Sequence, residues 1–124
     1  MKHKAIILMT FLLVSCSMFG QSANLKFLTK RIINCGTITK DTIINKAFRF
    51  INNGANALKI EKIYKSCTCT KVVLNKKRLN PNEEGLITLT VDTKNKIGEQ
   101  EVIVHIIANT KEIDHVIMVR YSIY

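Results

Sequence analysis

The sequence predicts an all-β fold, on three observations. Beyond its first two dozen residues the chain alternates apolar and polar side chains with period two, and no window sustains a 3.6-residue period. Turn-forming clusters, Asn52-Asn53-Gly54 and Pro81-Asn82 among them, separate these runs at spacings of about ten residues. Ile, Val and Thr are plentiful, while 124 residues hold only five Gly and one Pro, which favours strands over disorder. A chain of this length suits one domain. About seven strands at such spacing, in a body of about 100 residues, make an immunoglobulin-like β-sandwich.

Residues 1 to 15 read as a cleaved signal segment outside that fold. Lys2, His3 and Lys4 precede an apolar core from Ala5 to Val14, shorter than the roughly 20 residues needed to span a bilayer. Leu13-Val14-Ser15-Cys16 resembles the lipobox of bacterial lipoproteins. That resemblance implies acylation of Cys16, which would become the mature N-terminus and hold the domain to a membrane through its acyl chains. The alternative is a plain secretory signal cut near Gly20-Gln21-Ser22. Ser17 to Gln21 holds no acidic pair, which favours an outer-membrane anchor facing the periplasm. Residues 16 to 24 form a tether, and 25 to 124 the sandwich.

Leu25 to Leu28 and Arg31 to Ile38 are the first strand-like segments, with Gly36 marking a bulge. Thr39-Lys40-Asp41 turns the chain. From Lys46 to Asn52, Phe48 and Phe50 point inward and Arg49 outward. Asn52-Asn53-Gly54 reads as a turn of residues that tolerate positive φ. Ala57 to Lys65 buries Leu58 and Ile60, with Lys59 and Glu61 outward; Ile63 has the opposite parity, so a bulge near Lys62 is expected. Ser66-Cys67-Thr68-Cys69-Thr70 comes next, then a brief strand from Lys71 to Leu74. Asn75 to Gly85 is a polar loop whose Pro81-Asn82 suits a type II turn. Gly85 to Thr93 sets Ile87, Leu89 and Val91 inward. Two long strands, about Glu99 to Ala108 and Glu112 to Tyr124, close the chain around a turn at Asn109-Thr110-Lys111.

These last strands are apolar on both parities. Val102, Val104 and Ile106 oppose Ile103 and Ile107; Ile113, Ile117, Val119 and Ile123 oppose Val116 and Met118. The second face needs a cover, from loops, the N-terminal segment or a partner, and cover from the chain itself is favoured.

Nineteen basic and nine acidic residues give a formal charge of +10, which drops by two once Lys2 and Lys4 leave with the leader. The basic residues are scattered, Lys76-Lys77-Arg78 being the one tight run, and Trp is absent. A solvated basic surface is therefore expected, with no nucleic-acid partner.

Cys67 and Cys69, with His105 and His115, offer soft ligands for a tetrahedral metal. Their single intervening residue is shorter than usual ligand spacing, however, and both histidines sit mid-strand, so no metal or other cofactor is assigned. No sequence signature sets a base beside a nucleophile, and the carboxylates fall on turns or outward positions, so no catalytic residue is assigned and the chain is read as no enzyme. Export would place the thiols where disulfides persist. Were Cys67 and Cys69 extended, their Cα atoms would lie about 6.6 Å apart, near the limit for a bridge, which would then be easily reduced. A structural pair, buried thiols or a plain staple, is the simpler reading.

Taken in order, Asn45-Lys46-Ala47-Phe48-Arg49-Phe50-Ile51-Asn52-Asn53-Gly54, Leu58-Lys59-Ile60, Ser66-Cys67-Thr68-Cys69-Thr70 and Pro81-Asn82-Glu83-Glu84-Gly85 resemble the domain-of-unknown-function 1573 family of Bacteroidetes exported proteins. The resemblance covers about residues 33 to 120 and implies an immunoglobulin-like sandwich with no established activity. Thr68 stands where the signature usually has Gly, Asn82 where it has a turn Gly, and Cys35 where an aromatic is common, which puts a third thiol in the core. The expected function is an exported, lipid-anchored binding or structural module of the cell envelope, with a protein partner there. The alternative is a thiol-redox accessory protein using Cys67 and Cys69.

Overall fold

A computed structural model describes residues 22–124; the signal segment, Cys16 and most of the tether lie outside them. Nine strands run in order: β1 (Leu25–Phe27), β2 (Ile32–Thr37), β3 (Ile43–Asn52), β4 (Leu58–Lys65), β5 (Thr70–Leu74), β6 (Arg78–Leu79), β7 (Glu84–Asp92), β8 (Gly98–Ala108) and β9 (Asp114–Ile123). They form two stacked sheets, β1-β3-β7-β5 and β2-β9-β8-β4-β6. The pattern is that of an immunoglobulin-like sandwich, and among the described residues there is no helix. The count exceeds seven because β1 and β2 both join the sheets, β2 parallel to β9, and a two-residue strand, β6, forms within the expected polar loop.

Alternation decides the core. Phe48, Phe50, Ile87, Leu89, Val91, Val104, Ile106, Ile117 and Val119 are all fully buried between the sheets, each on the parity the sequence puts inward. Burying side chains of this size contributes about 1.5–3 kcal/mol apiece. Both expected bulges are present. The β2–β9 register shifts between Asn34 and Thr37, where Gly36 has φ 68°. The β4–β8 register shifts between Ile60 and Lys62, which returns Ile63 toward the core. The Pro81-Asn82 turn is also as expected: Asn82 has φ 68°, and the Glu83 N–H donates to the Asn80 carbonyl at 3.0 Å.

Several expectations are corrected. β3 begins three residues before Lys46, because Ile43, Ile44 and Asn45 pair with the end of β7. Asn52-Asn53-Gly54 has no positive φ, since Asn52 is the last strand residue and is completely buried. Ile113 lies before β9 and is 60% exposed, so it leaves the inward set to which parity assigned it. Ile103, Ile107, Val116 and Met118, on the second face of β8 and β9, are half-buried.

Candidate functional site

Ser66 to Cys69 carries the chain from the end of β4, in one sheet, to β5, in the other. Both sheets grip it. The Ser66 N–H donates to the Ile103 carbonyl and the Ile103 N–H to Ser66 Oγ, both at 2.9 Å. The Asp92 N–H, at the end of β7, donates to the Cys69 carbonyl at 3.0 Å. Between these anchors Cys67 and Cys69 form a disulfide with Cα atoms 5.1 Å apart. This corrects the extended geometry: the residues lie in a turn, closed by a Thr70 N–H bond to the Cys67 carbonyl at 3.2 Å. The turn brings the Cα separation below the roughly 6.6 Å expected of an extended pair. Both cysteines are half-buried and pack against the core, beside a shallow depression of about 220 Å³ lined by Lys96, Gln100 and Tyr121 among others.

Neither histidine joins them. His105 points out of the sheet and its Nδ1 pairs with Asp114 at 2.9 Å. His115 is buried, its Nε2 2.7 Å from the Thr110 hydroxyl. That hydroxyl donates to the Glu112 carbonyl, so it accepts from the His115 Nε2–H. Burial pushes the His115 pKa down, against the opposing pull of Glu112 and Asp114. Among the described residues no three of His, Cys, Asp and Glu are grouped to hold a metal. Cys35 is a free, half-buried thiol on β2, at the margin of the core rather than within it.

The opposite pole of the sandwich is built on a residue that the sequence reading took for part of a turn. The Asn52 amide donates to the carbonyls of Asn56 (2.8 Å) and Leu79 (3.0 Å). Its Oδ1 accepts from the N–H groups of Gly54 (3.0 Å) and Asn24 (3.3 Å). Its main chain accepts from Asn82 and donates to Glu83. One buried side chain thus ties β3 to the entering chain, to the following loop and to β6 of the other sheet. The signal was present in the sequence: position 52 shares the parity of Phe48 and Phe50. Two glycines nearby serve close approach. A Cβ on Gly54 would stand 2.2 Å from the Ser22 carbonyl oxygen, and one on Gly85 would stand 2.3 Å from the Phe50 ring.

The model of the family described as "protein of unknown function (DUF1573)" matches residues 25–123. The chain belongs to the DUF1573 family. Solved structures place this DUF1573 domain among β-sandwiches. A protein of unknown function from Porphyromonas gingivalis W83 aligns at TM-score 0.72 and 17% identity, over 82% of this chain and 47% of that one. The VesB protease of Vibrio cholerae aligns at 0.61 and 16%, over 82% and 31%. The ASH/PapD-like domain 7 of human CEP192 aligns at 0.59 and 7%, over 84% and 86%. The chain therefore spans less than half of the first two proteins, and identities this low speak for the fold alone. No curated protein matches the chain in sequence. In this DUF1573 domain, the residues that carry the family resemblance have structural roles: Phe48 and Phe50 fill the core, Asn52 joins the sheets, Gly85 admits the Phe50 ring, and the cysteine turn carries the chain between sheets.

Proposed function

We propose that this DUF1573 domain is an exported, lipid-anchored module of the cell envelope, held by Cys16 in the outer membrane and facing the periplasm, where it binds or scaffolds another envelope protein. The carrying observation is Leu13-Val14-Ser15-Cys16 at the end of a short apolar core, with β1 beginning at Leu25. A tether of eight residues after Cys16 keeps the sandwich close to the surface that would hold the acyl chains. The register supports an orientation. Leu25 pairs with Asn52, so the chain enters at the Asn52 pole, and the Cys67–Cys69 turn lies at the far pole, facing away from the membrane. The binding role draws on the architecture, since sandwiches present loops and strand edges to partners, an argument from fold rather than from a site.

The test is metabolic labelling with a fatty-acid probe in cells that express the chain or its Cys16→Ala variant. Label on the parent and none on the variant is the expected result. Equal labelling, or a mature N-terminus downstream of Cys16, would overturn the anchor.

A further inference from the structure

One side of the sandwich is open. β5 is the outer strand of its sheet, and the edge of β4 is paired only along Leu58 and Lys59, with β6, and at the Ile60 N–H, which donates to the Lys77 carbonyl at 2.8 Å. Between β4 and β5 lies a cleft of about 300 Å³, lined by Ile60, Ile63, Val72 and Leu74, with Lys62, Lys77 and one carboxylate, Glu61. The strand edges along it carry free main-chain groups. The Asn75 N–H bonds to Leu86 on β7 and the Cys69 carbonyl accepts from Asp92. By strand alternation, the N–H and C=O of Val72 and Leu74 then point away from β7, into the open side. The same alternation, counted from the Ser66 N–H bond to β8, turns the main chain of Ile63 outward on β4. Toward the cysteine turn, β4 and β5 are joined by Lys65, whose Nζ donates to the Thr70 carbonyl at 2.6 Å.

We propose that this cleft binds an extended polypeptide segment of a partner, which adds as a strand to the free edge of β5 and carries apolar side chains on alternate residues and acidic residues at its flanks. Main-chain groups of Val72 and Leu74 supply the pairing, and alternate side chains enter the apolar slot. Charge selects the occupant. Lys62 and Lys77 line the cleft and exposed Lys71 stands on β5 itself, while Glu61 is the one carboxylate there. Lysines on an edge oppose pairing with a second copy of the same basic strand, and they attract an acidic segment. The other edges are poorer templates: β1 has three residues, β6 has two, and β2 is broken by its bulge. The proposal names the kind of partner for the binding role above and does not depend on the anchor, so the Cys16 labelling test and the one below can fail separately.

The experiment follows backbone amide resonances and hydrogen exchange in the purified chain with two peptides of alternating Val and Thr, one flanked by Asp pairs and one by Lys pairs. The Asp-flanked peptide is expected to saturate, to slow exchange at Val72 and Leu74, and to bind at least about tenfold more tightly than the Lys-flanked one, roughly 1.4 kcal/mol. Val72→Pro removes an outward N–H that the β7 ladder does not use and should weaken binding about tenfold. Should that variant fail to fold, the Lys62→Glu/Lys77→Glu double variant decides the matter by reversing the preference between peptides. No protection at Val72 and Leu74 by either peptide up to about 1 mM, equal binding of the two peptides, or an unchanged preference in the double variant would each overturn the proposal.

Discussion

Asn52 is fully buried and makes four side-chain hydrogen bonds, the one to Leu79 in the interior and the other three partly buried. Truncating it strands the Leu79 carbonyl in the interior and leaves three partly buried groups unpaired, and a buried unsatisfied group costs about 1–3 kcal/mol before relaxation. Asn52→Ala should lower stability by about 2–4 kcal/mol in urea unfolding. Asn52→Asp should do no better, because its second oxygen would face the Asn56 and Leu79 carbonyls that the amide now serves. A loss under about 0.5 kcal/mol for both, the range of a surface change, would contradict the network. His115 yields a pH prediction. Burial holds its folded pKa below the ordinary value of 6.5, so the unfolded chain binds more protons in the acid range. Stability is then full above that ordinary value and falls as pH drops below it. Urea midpoints at about pH 8 and about pH 5 should differ in the parent, and differ less in His115→Gln.

The same scale covers the cysteines. A bridge across one intervening residue restrains the unfolded chain little, so Cys67 and Cys69 contribute mainly by packing at the turn between sheets. Cys67→Ala and Cys69→Ala should each cost about 1–3 kcal/mol. In cells, with Cys35→Ala as background, neither should leave a discrete, reducible adduct with another protein on a non-reducing gel. Such an adduct, appearing when only one of the two cysteines is removed, would favour a thiol-exchange role.

At the scale of the strand, parity is the quantity under test. Phe48 on β3 and Leu89 on β7 are fully buried, whereas Glu61 faces solvent. Phe48→Ala and Leu89→Ala should each cost about 2–5 kcal/mol, and Glu61→Ala under about 0.5 kcal/mol. Similar losses at all three would mean that the faces are misassigned. Parity was readable for β3 and β7 because one face of each is mostly apolar and the other mostly polar. It misled at Ile113, where a strand-like run extends past the point at which the ladder ends. Strand ends are set by hydrogen-bond partners on other strands, and those are invisible in a linear sequence.

At the scale of the whole molecule, the far-ultraviolet circular dichroism should be that of a β-protein with negligible helix, and a helical minimum of any strength would contradict the fold. The sequence by itself determined the fold class, most of the inward faces, both bulges and the Pro81-Asn82 turn. Each of these follows from the period of side chains along one strand, or from the φ preference of a residue and its neighbours, and such local physics can be read along the chain. Tertiary structure alone decided that β2 runs parallel beside β9, that Asn52 is a buried junction rather than a corner, that the cysteine turn is gripped by both sheets, and that β4 and β5 face each other across an open cleft. All four depend on segments far apart in sequence: Asn52 meets Leu79 across 27 positions, and Ser66 meets Ile103 across 37. Pairings over such separations are set by how the two sheets satisfy their buried polar groups together, and no local pattern encodes them.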